Sequence, residues 1–332
     1  MKQIKDIDYI FLSTRIKAME RGLLSRERIE RMLDAPTTEE AVKVLTECGY
    51  SEMNVVTAAE LERVLAEQQK KVMADLSSGA PDKNIVDIFK LRYDYHNAKV
   101  LVKAEALNIE QDQLLLGGGR YDAETLATDF RREDMSGYTD FFRRGMSRAR
   151  EILGSTGDPQ QADFILDRAY FEEMSAMANS VDSKFLRDYV ALSIDVANLR
   201  SCVRASRLDK GTDFLNQVLV GGGSVSVRNL SMARGEELGN LFRLGSLSAA
   251  AAEGAAKAAP GSGPLTEFER LCDNALMDFL SDGRRVPFGV EPIVGYLFAR
   301  EAETTAIRTI VSGRMAGLDG DTIRERLRDA YV

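Results

Sequence analysis

The stretch that decides the fold is residues 94–104, DYHNAKVLVKA, because the chain carries variants of it three times. Residues 195–205 read DVANLRSCVRA, and residues 303–313 read ETTAIRTIVSG. In each copy a basic residue follows the acid by five positions, a valine by eight, and Ala or Gly by ten. Asparagine stands three residues after the acid in the first two copies, and Ala306 stands there in the third. We infer that the chain is built from three related units.

The sequence around the repeated stretch supports this division. LLLGGGRYDAETL follows the first copy and VLVGGGSVSVRNL follows the second, whereas the third ends in MAGLDGDTIRERL without a glycine triple. Each unit also has an earlier helical segment: AELERVL, ADFILDRA and TEFERLCDNAL. We predict helical repeats at residues 1–130, 131–235 and 236–332, with an extra helical hairpin at about 24–50 in the first. The Ala/Gly/Ser-rich stretch Gly245–Gly263 is expected to be the loosest connection.

Local signals favour helix almost everywhere. Apolar residues recur at helical spacing, and the best strand candidate, Ser224–Arg228, is short. Asp158-Pro159 has the pattern of a helix cap followed by a first-turn proline, and Thr37 with Glu40 has the spacing of a capping box. The sequence therefore predicts an all-α protein.

Composition excludes several classes of function. The chain has 332 residues, 44% of them apolar, and a formal net charge of −8, which argues against nucleic acid as the main partner. It has a single histidine, His96, so multi-histidine zinc sites and histidine relays are excluded within one chain. Its three cysteines lie far apart and are expected to be buried in a reducing compartment.

Membrane and export signals are also weak. The first ten residues, MKQIKDIDYI, lack the apolar run of a signal peptide. The longest charge-free stretch, residues 214–227, is shorter than the ~20 apolar residues that a membrane-spanning helix needs. We expect a cytoplasmic chain with no bilayer span, able to dock on something embedded.

Motifs that carry chemistry are missing from the sequence. The glycine triples lack the Lys and Ser/Thr of a phosphate loop and are expected to terminate helices. HExxH, GxSxG and aspartate-rich metal clusters are absent from the sequence. We therefore predict no catalytic residue, no cofactor site and no metal ligand, and expect the protein to work through shape and contact.

The repeated helix has a polar flank that allows two interpretations. At about 100° per residue, the acid, the residue three positions on and the small residue ten positions on fall on one side. In the first interpretation the acid and asparagine bond a neighbouring helix, and the small residue permits close packing. In the second, the three polar flanks line a shared central cavity, because three like units in series can close around an approximate threefold axis.

Further motifs resemble one known family. Residues 15–20 (RIKAME), Leu23-Leu24-Ser25 and Gly49-Tyr50 resemble the N-terminal part of the C subunit of V-type ATPases and ATP synthases of archaea and bacteria, whose eukaryotic counterpart is the d subunit. Residues 292–301 (PIVGYLFARE), Arg308 and the final Tyr331-Val332 resemble the same family. The sequence departs from the family pattern at Thr305-Ala306.

The resemblance implies a funnel of three pseudo-symmetric helical lobes that joins the central shaft, subunits D and F, to the membrane rotor ring. It implies a non-catalytic rotor part that transmits torque between ATP turnover and H⁺ or Na⁺ transport on the cytoplasmic side. If the polar flanks face the cavity, the candidates for gripping the shaft are Asp94, Asn97, Asp195, Asn198 and Glu303. The basic residues Lys99, Lys103, Arg200, Arg204 and Arg308 would then serve inter-helix or rim contacts.

Two other functions remain open on sequence alone. One is a helical adaptor for a different ring-shaped partner. The other is an all-α enzyme with a pocket on the axis, which a deep pocket with strongly shifted carboxylates or a cofactor would favour.

Overall fold

The computed structural model describes residues 4–331, so Val332 and the first three residues lie outside the described part. Within residues 4–331 the regular structure is helical and no strand is present, which confirms the all-α prediction. The α-helices are α1 (Ile10–Met19), α2 (Arg26–Asp34), α3 (Thr38–Glu47), α4 (Ala58–Gly79), α5 (Asn84–Leu107), α6 (Ala123–Arg131), α7 (Asp140–Thr156), α8 (Pro159–Ser180), α9 (Lys184–Arg207), α10 (Thr212–Val218), α11 (Val227–Met232), α12 (Glu236–Leu241), α13 (Ser248–Ala256), α14 (Thr266–Gly283), α15 (Val290–Met315) and α16 (Gly320–Arg324). Short 3-10 helices cover Asp6–Tyr9, Glu20–Gly22 and Asp112–Leu114.

Several helices begin where the sequence places a cap. The hydroxyl of Thr37 accepts a hydrogen bond from the Glu40 amide, and Thr57 caps α4 in the same way. Asp158 caps α8, whose first residue is Pro159. These side chains satisfy amide groups that the helix itself leaves unbonded. The expected hairpin at about 24–50 is present as α2 and α3.

Two local expectations were wrong. Ser224–Arg228 is not a strand, since Ser226 caps α11 and Val227 begins it. The stretch Gly245–Gly263 is not a loose connection throughout, because Ser248–Ala256 forms α13 with buried alanines. Alanine has the highest intrinsic helix propensity, which explains why this bland segment is ordered. The expected burial of all three cysteines is observed.

The chain divides into two compact units, of which the first comprises Met1–Val86 and Pro264–Val332. In it α15, the longest helix at 26 residues, contacts α1, α3, α4, α14 and α16. Residues of α2, α3, α4, α15 and α16 share one hydrophobic core. Glu62 pairs with Arg308, while Val72 and Tyr296 line one cavity further along, so α4 and α15 run antiparallel.

The second unit, Asp87–Gly263, contains most of α5 and all of α6 to α13. Here α7 and α8 form a hairpin, and α9 packs against α8, α10, α11 and α13. Lys99 and Lys103 of α5 pair with Asp167 and Asp163 of α8, so these two helices also run antiparallel.

The three long repeated helices, α5, α9 and α15, stop in the same way. Fourteen residues after the acid of each copy, the backbone adopts positive φ: 49° at Asn108, 51° at Asp209 and 74° at Gly317. A left-handed residue just past the last turn ends a helix. The repeat is therefore visible in backbone conformation, while the boundaries 1–130, 131–235 and 236–332 stay a prediction.

Candidate functional site

The polar flank of α5 holds the glycine-rich loop that follows it. Asn97 donates to the carbonyl oxygen of Leu116 at 2.8 Å and accepts from the Leu116 amide at 2.8 Å. The Asp94 carboxylate accepts from the backbone amides of Arg120 (2.9 Å) and Tyr121 (3.3 Å). The Arg120 guanidinium donates to the same carboxylate at 2.7 Å. The Asp94 carboxylate and the side-chain amide of Asn97 thus hold the residues on either side of the glycine triple.

The second copy repeats this arrangement on α9. Asn198 donates to the Val220 carbonyl oxygen at 2.7 Å and accepts from its amide at 2.9 Å. Asp195 accepts from the Ser224 amide at 2.9 Å and from the Ser224 hydroxyl at 2.6 Å. A neutral hydroxyl therefore takes the place that the guanidinium has in the first copy. We call each arrangement a loop clamp: the acid, the asparagine and the loop backbone they bind.

The loop clamps explain the glycines, which do not terminate helices as we expected. The middle glycine has positive φ in both copies, 90° at Gly118 and 106° at Gly222. At the third glycine the carboxylate lies so near that an added Cβ would come within 2.2 Å of it at Gly119 and 2.1 Å at Gly223. Only a residue without a side chain fits there. The second and third glycines of each triple are therefore needed, whereas an added Cβ at the first, Gly117 or Gly221, would have no neighbour within 4 Å.

Further groups extend the first loop clamp. The guanidinium of Arg120 also donates to Glu173 of α8 at 2.8 Å, and Glu173 accepts from the hydroxyls of Tyr95 (2.8 Å) and Thr139 (2.7 Å). Burial raises the pKa of Asp94 to about 6, and the Arg120 guanidinium opposes this shift. The carboxylate is therefore mostly ionised at neutral pH and is balanced by the guanidinium it binds.

In the third copy the acid holds a different segment. Glu303 accepts from the Leu24 amide at 2.6 Å, from the Tyr50 hydroxyl at 2.5 Å and from Arg300 at 2.8 Å. Leu24 and Tyr50 flank the α2–α3 hairpin, so Glu303 ties both ends of that hairpin to α15. Burial, followed by the nearby Glu303 carboxylate, raises the pKa of Tyr50, and the phenol therefore remains a donor.

The basic residues five positions after the acids of the first and third copies form ion pairs between helices. Lys99 pairs with Asp167 at 2.5 Å, and Arg308 forms two bonds with Glu62 at 2.6 and 2.7 Å. Arg200 occupies the same position on α9 and is partly buried. The contact role predicted for these residues toward a partner stays a prediction.

The other predicted contact residues expose little surface in this conformation. Asp94 and Asn97 are 0% exposed, and Asp195, Asn198 and Glu303 are 3%, 1% and 6% exposed. Asp94 and Asn97 form the first loop clamp, Asp195 and Asn198 form the second, and Glu303 holds the ends of the α2–α3 hairpin. Their observed partners are mainly loop backbone, which differs from the neighbouring helix proposed in the first interpretation. Their contact with a shaft stays a prediction.

Sequence reasoning missed Arg120, Glu173 and the pairing of Tyr50 with Glu303. The available signal was the residue directly after each glycine triple, Arg120 in one copy and Ser224 in the other. Both residues carry a side-chain donor, and a buried carboxylate such as that of Asp94 or Asp195 needs such a donor.

The first unit also contains a cavity of about 560 Å³ among α1, α4 and α15. Its walls include Arg15, Gln68, Lys71, Tyr296 and Arg300. Among the residues the structure describes, no group of three or more His, Cys, Asp and Glu side chains is arranged to hold a metal ion. Within the same residues, no helix is both long and apolar enough to cross a membrane.

Fold and contacts together define a class of protein: an all-α chain of repeated long helices whose buried polar groups hold loops and neighbouring helices in place. The family model described as ATP synthase (C/AC39) subunit matches residues 12–326. The chain belongs to this family, which confirms the resemblance to the C subunit of V-type ATPases.

Named relatives match along nearly the whole chain. The C subunit of the V-type sodium ATPase of Enterococcus hirae is 24% identical over 328 residues, covering 98% of this chain and 99% of the relative. The C subunit of the V-type ATP synthase of Thermus thermophilus is 25% identical, covering 96% and 98%. The C subunit of the A-type ATP synthase of Methanocaldococcus jannaschii is 23% identical, covering 96% and 86%. The chain is thus a structural subunit of a V-type or A-type ATP synthase.

Proposed function

We propose that this chain is the non-catalytic rotor part that joins the central shaft, subunits D and F, to the membrane rotor ring. In this role it lies on the cytoplasmic side of the membrane as a peripheral subunit and carries torque between ATP turnover and H⁺ or Na⁺ transport. Its three helical repeats close into a funnel that receives the tip of the shaft. The observation that carries the proposal is family membership over residues 12–326, combined with the repeated loop clamps.

Ion pairs also connect helices that the sequence assigns to different repeats. Lys99, in the first copy, pairs with Asp167, in the second. Arg308, in the third copy, pairs with Glu62, in the first. Each pair ties a long repeated helix to an earlier helix, which adds to the stiffness that a torque coupler needs.

The loop clamps supply the stiffness that a torque coupler needs. A loop fixed through backbone and side-chain hydrogen bonds at both ends of its glycine triple has few low-energy conformations. Each loop clamp also buries a carboxylate whose release from its donors would cost several kcal/mol. Load applied to such a loop passes into the long helix instead of being absorbed by loop motion.

For the buried polar residues we propose an indirect role in shaft contact. The loop held by Asp94 and Asn97 carries the exposed apolar side chains Leu114 and Leu116, which offer surface to a partner. Loosening this loop with Gly119→Ala then weakens retention of the shaft. Gly117→Ala, where an added Cβ has no neighbour within 4 Å, leaves retention unchanged.

For the exposed Arg308 we propose a direct contact at the rim. Its side chain is 47% exposed while it is paired with Glu62. The matched control is Arg63, which is 52% exposed and paired with acids of its own helix α4. Arg308→Glu weakens shaft retention and Arg63→Glu does not; equal effects of the two changes would remove Arg308 from the contact set.

The experiment that tests the proposed function is retention of purified partners on the immobilised chain. The shaft subunits D and F, as a complex, and the detergent-solubilised rotor ring are passed over it separately and then together. We expect each to be retained alone and a ternary complex to form. Retention of neither partner, or mutually exclusive retention, contradicts the proposal.

A further inference from the structure

The first helical segment of the first unit leaves large apolar side chains in solvent. Ile7 is 64% exposed and Phe11 is 73% exposed, and Ile4 and Ile10 beside them are 39% and 41% exposed. The 3-10 helix Asp6–Tyr9 runs directly into α1, so positions spaced three and four residues apart share one side of the segment. The other side of α1 packs against α4 and α15. We call the four exposed residues the α1 stripe; contiguous apolar surface of this kind is typical of a partner contact.

The α1 stripe leads into the cavity of about 560 Å³ in the same unit. Arg15 and Met19 stand four and eight residues after Phe11, and both lie in the cavity wall. At about 1.5 Å per residue, the positions from Ile4 to Met19 extend over roughly 20 Å. The α1 stripe and the cavity therefore offer one elongated surface, apolar at one end and hollow at the other.

The cavity wall has an excess of positive charge. It contains three cations and one acid, namely Arg15, Lys71, Arg300 and Asp75. Arg15 pairs with Asp75 at 2.5 Å, and the buried Arg300 pairs with Glu303 at 2.8 Å. Lys71 is exposed and forms no ion pair with any acid within residues 4–331. An ammonium group without an acid beside a cavity favours a carboxylate from outside the chain.

We propose that the α1 stripe and the cavity receive an amphipathic, acidic helical segment of the shaft. Its apolar side lies on Ile7 and Phe11, and one of its carboxylates lies beside Lys71. A partner that carried charge alone would leave the α1 stripe in water, and one that was apolar throughout would leave Lys71 without a carboxylate. The inference rests on the proposed function, which names the shaft as the partner, and it adds a direct contact surface in the first unit.

The charged half of the proposal is tested by the affinity of the purified D–F complex for the immobilised full chain. Lys71→Glu should weaken binding about tenfold at low ionic strength, because it sets like charges against each other. Lys70→Glu is the matched control, since Lys70 precedes Lys71 on α4, is also exposed and lies outside the cavity wall. The control should bind as the wild type does. The difference between the two variants should shrink as salt is added, because salt screens exposed charges.

The apolar half has its own matched pair. Phe11→Ser should weaken shaft binding about tenfold at every ionic strength, because a large aromatic side chain loses its contact. Val55→Ser is the control, since Val55 is 65% exposed and lies in the loop before α4. All four variants change exposed side chains and should unfold at the same urea concentration as the wild type, which separates lost contact from lost folding.

Failure of this inference differs from failure of the proposed function. Absence of shaft binding by the wild type contradicts the proposed function. Intact wild-type binding, with equal affinities of Lys71→Glu and Lys70→Glu or of Phe11→Ser and Val55→Ser, overturns the inference alone. Inorganic phosphate is the last probe. If it raises the midpoint of thermal unfolding of the wild type but not of Lys71→Glu, while shaft affinity is the same in both, the cavity holds a small anion and the inference is overturned.

Discussion

Alanine at position 119 tests the first loop clamp, because the glycine there faces a buried carboxylate. The new Cβ would lie 2.2 Å from Oδ1 of Asp94, whereas real Cβ atoms essentially never approach a heavy atom within 3.0 Å. The carboxylate or the loop therefore has to retreat by about 0.8 Å. Oδ1 accepts from the amides of Arg120 at 2.9 Å and Tyr121 at 3.3 Å, and a shift of that size breaks or strains both bonds.

The cost follows from these two bonds. Hydrogen bonds to a charged group contribute about 1.5–3 kcal/mol each, and a buried charge left short of donors is penalised further. We expect Gly119→Ala to lower the free energy of unfolding by about 3 kcal/mol. Gly117→Ala is the control, since its Cβ would have no neighbour within 4 Å. It should change stability by at most about 1 kcal/mol, and in the stabilising direction if the unfolded chain loses freedom.

The assay is urea unfolding followed by circular dichroism, combined with hydrogen exchange read by mass spectrometry. Exchange should rise in the peptides covering residues 116–121 in Gly119→Ala and stay unchanged in Gly117→Ala. In an Asp94→Ala background the carboxylate is gone, so Gly119→Ala should add little further loss. Equal costs for the two glycines, or a full cost without the Asp94 carboxylate, would refute the loop clamp.

Three further predictions concern the protonation of Asp94 and the contacts of Gly295 and Glu303. Because burial raises the pKa of Asp94 from 3.8 to about 6, the folded chain binds this proton more tightly than the unfolded chain does. The free energy of unfolding therefore falls by up to about 3 kcal/mol as pH rises through that window; urea titrations should show this slope in the wild type and lack it in Asp94→Asn. Gly295→Ala places a Cβ 2.5 Å from the hydroxyl of Tyr331 and should cost about 1–3 kcal/mol, but nothing in a Tyr331→Ala background, as measured in a double-mutant cycle. Glu303→Gln should cost about 2–4 kcal/mol and raise hydrogen exchange across residues 24–50; unchanged exchange there would mean that the carboxylate does not hold the hairpin.

Much of the fold follows from local signals. The caps at Thr37, Thr57 and Asp158 bind amides two or three residues further on, so the sequence alone locates the starts of these three helices. The spacing within the repeat places an acid and an asparagine on one flank of the first two repeated helices. The helical pair α2 and α3 also follows from local signals, since Thr37 caps α3.

The contacts of the candidate site depend on segments brought together by tertiary structure. A helical projection shows that Asp94 and Asn97 share a side, but it cannot show that a loop 19 to 27 residues away lies against them. The glycine triples were assigned to helix ends for the same reason, because their actual constraint is a carboxylate distant in sequence. Polar and apolar residues alternate in Ser224–Arg228 as they do in a strand. The Ser224 amide nevertheless donates to the Asp195 carboxylate, and Ser226 caps α11.

Residues that contact a partner are harder to recognise from the sequence than residues that pack inside the chain. The family resemblance, combined with polarity on a repeated helix, predicts shaft contact by Asp94, Asn97, Asp195, Asn198 and Glu303. Internal loop clamps produce the same polarity. A loop clamp and a partner contact would each use an acid and an asparagine at a fixed spacing. Distinguishing them needs the burial of each side chain, which depends on what the rest of the chain places over it.

Reconstitution of the motor head, shaft and rotor ring in vesicles, with and without this chain, tests the central claim most directly. ATP-driven ion uptake should require the chain, whereas ATP hydrolysis by the head should continue in its absence. Equal ion uptake in both preparations, or loss of hydrolysis by the head when the chain is omitted, would contradict the account.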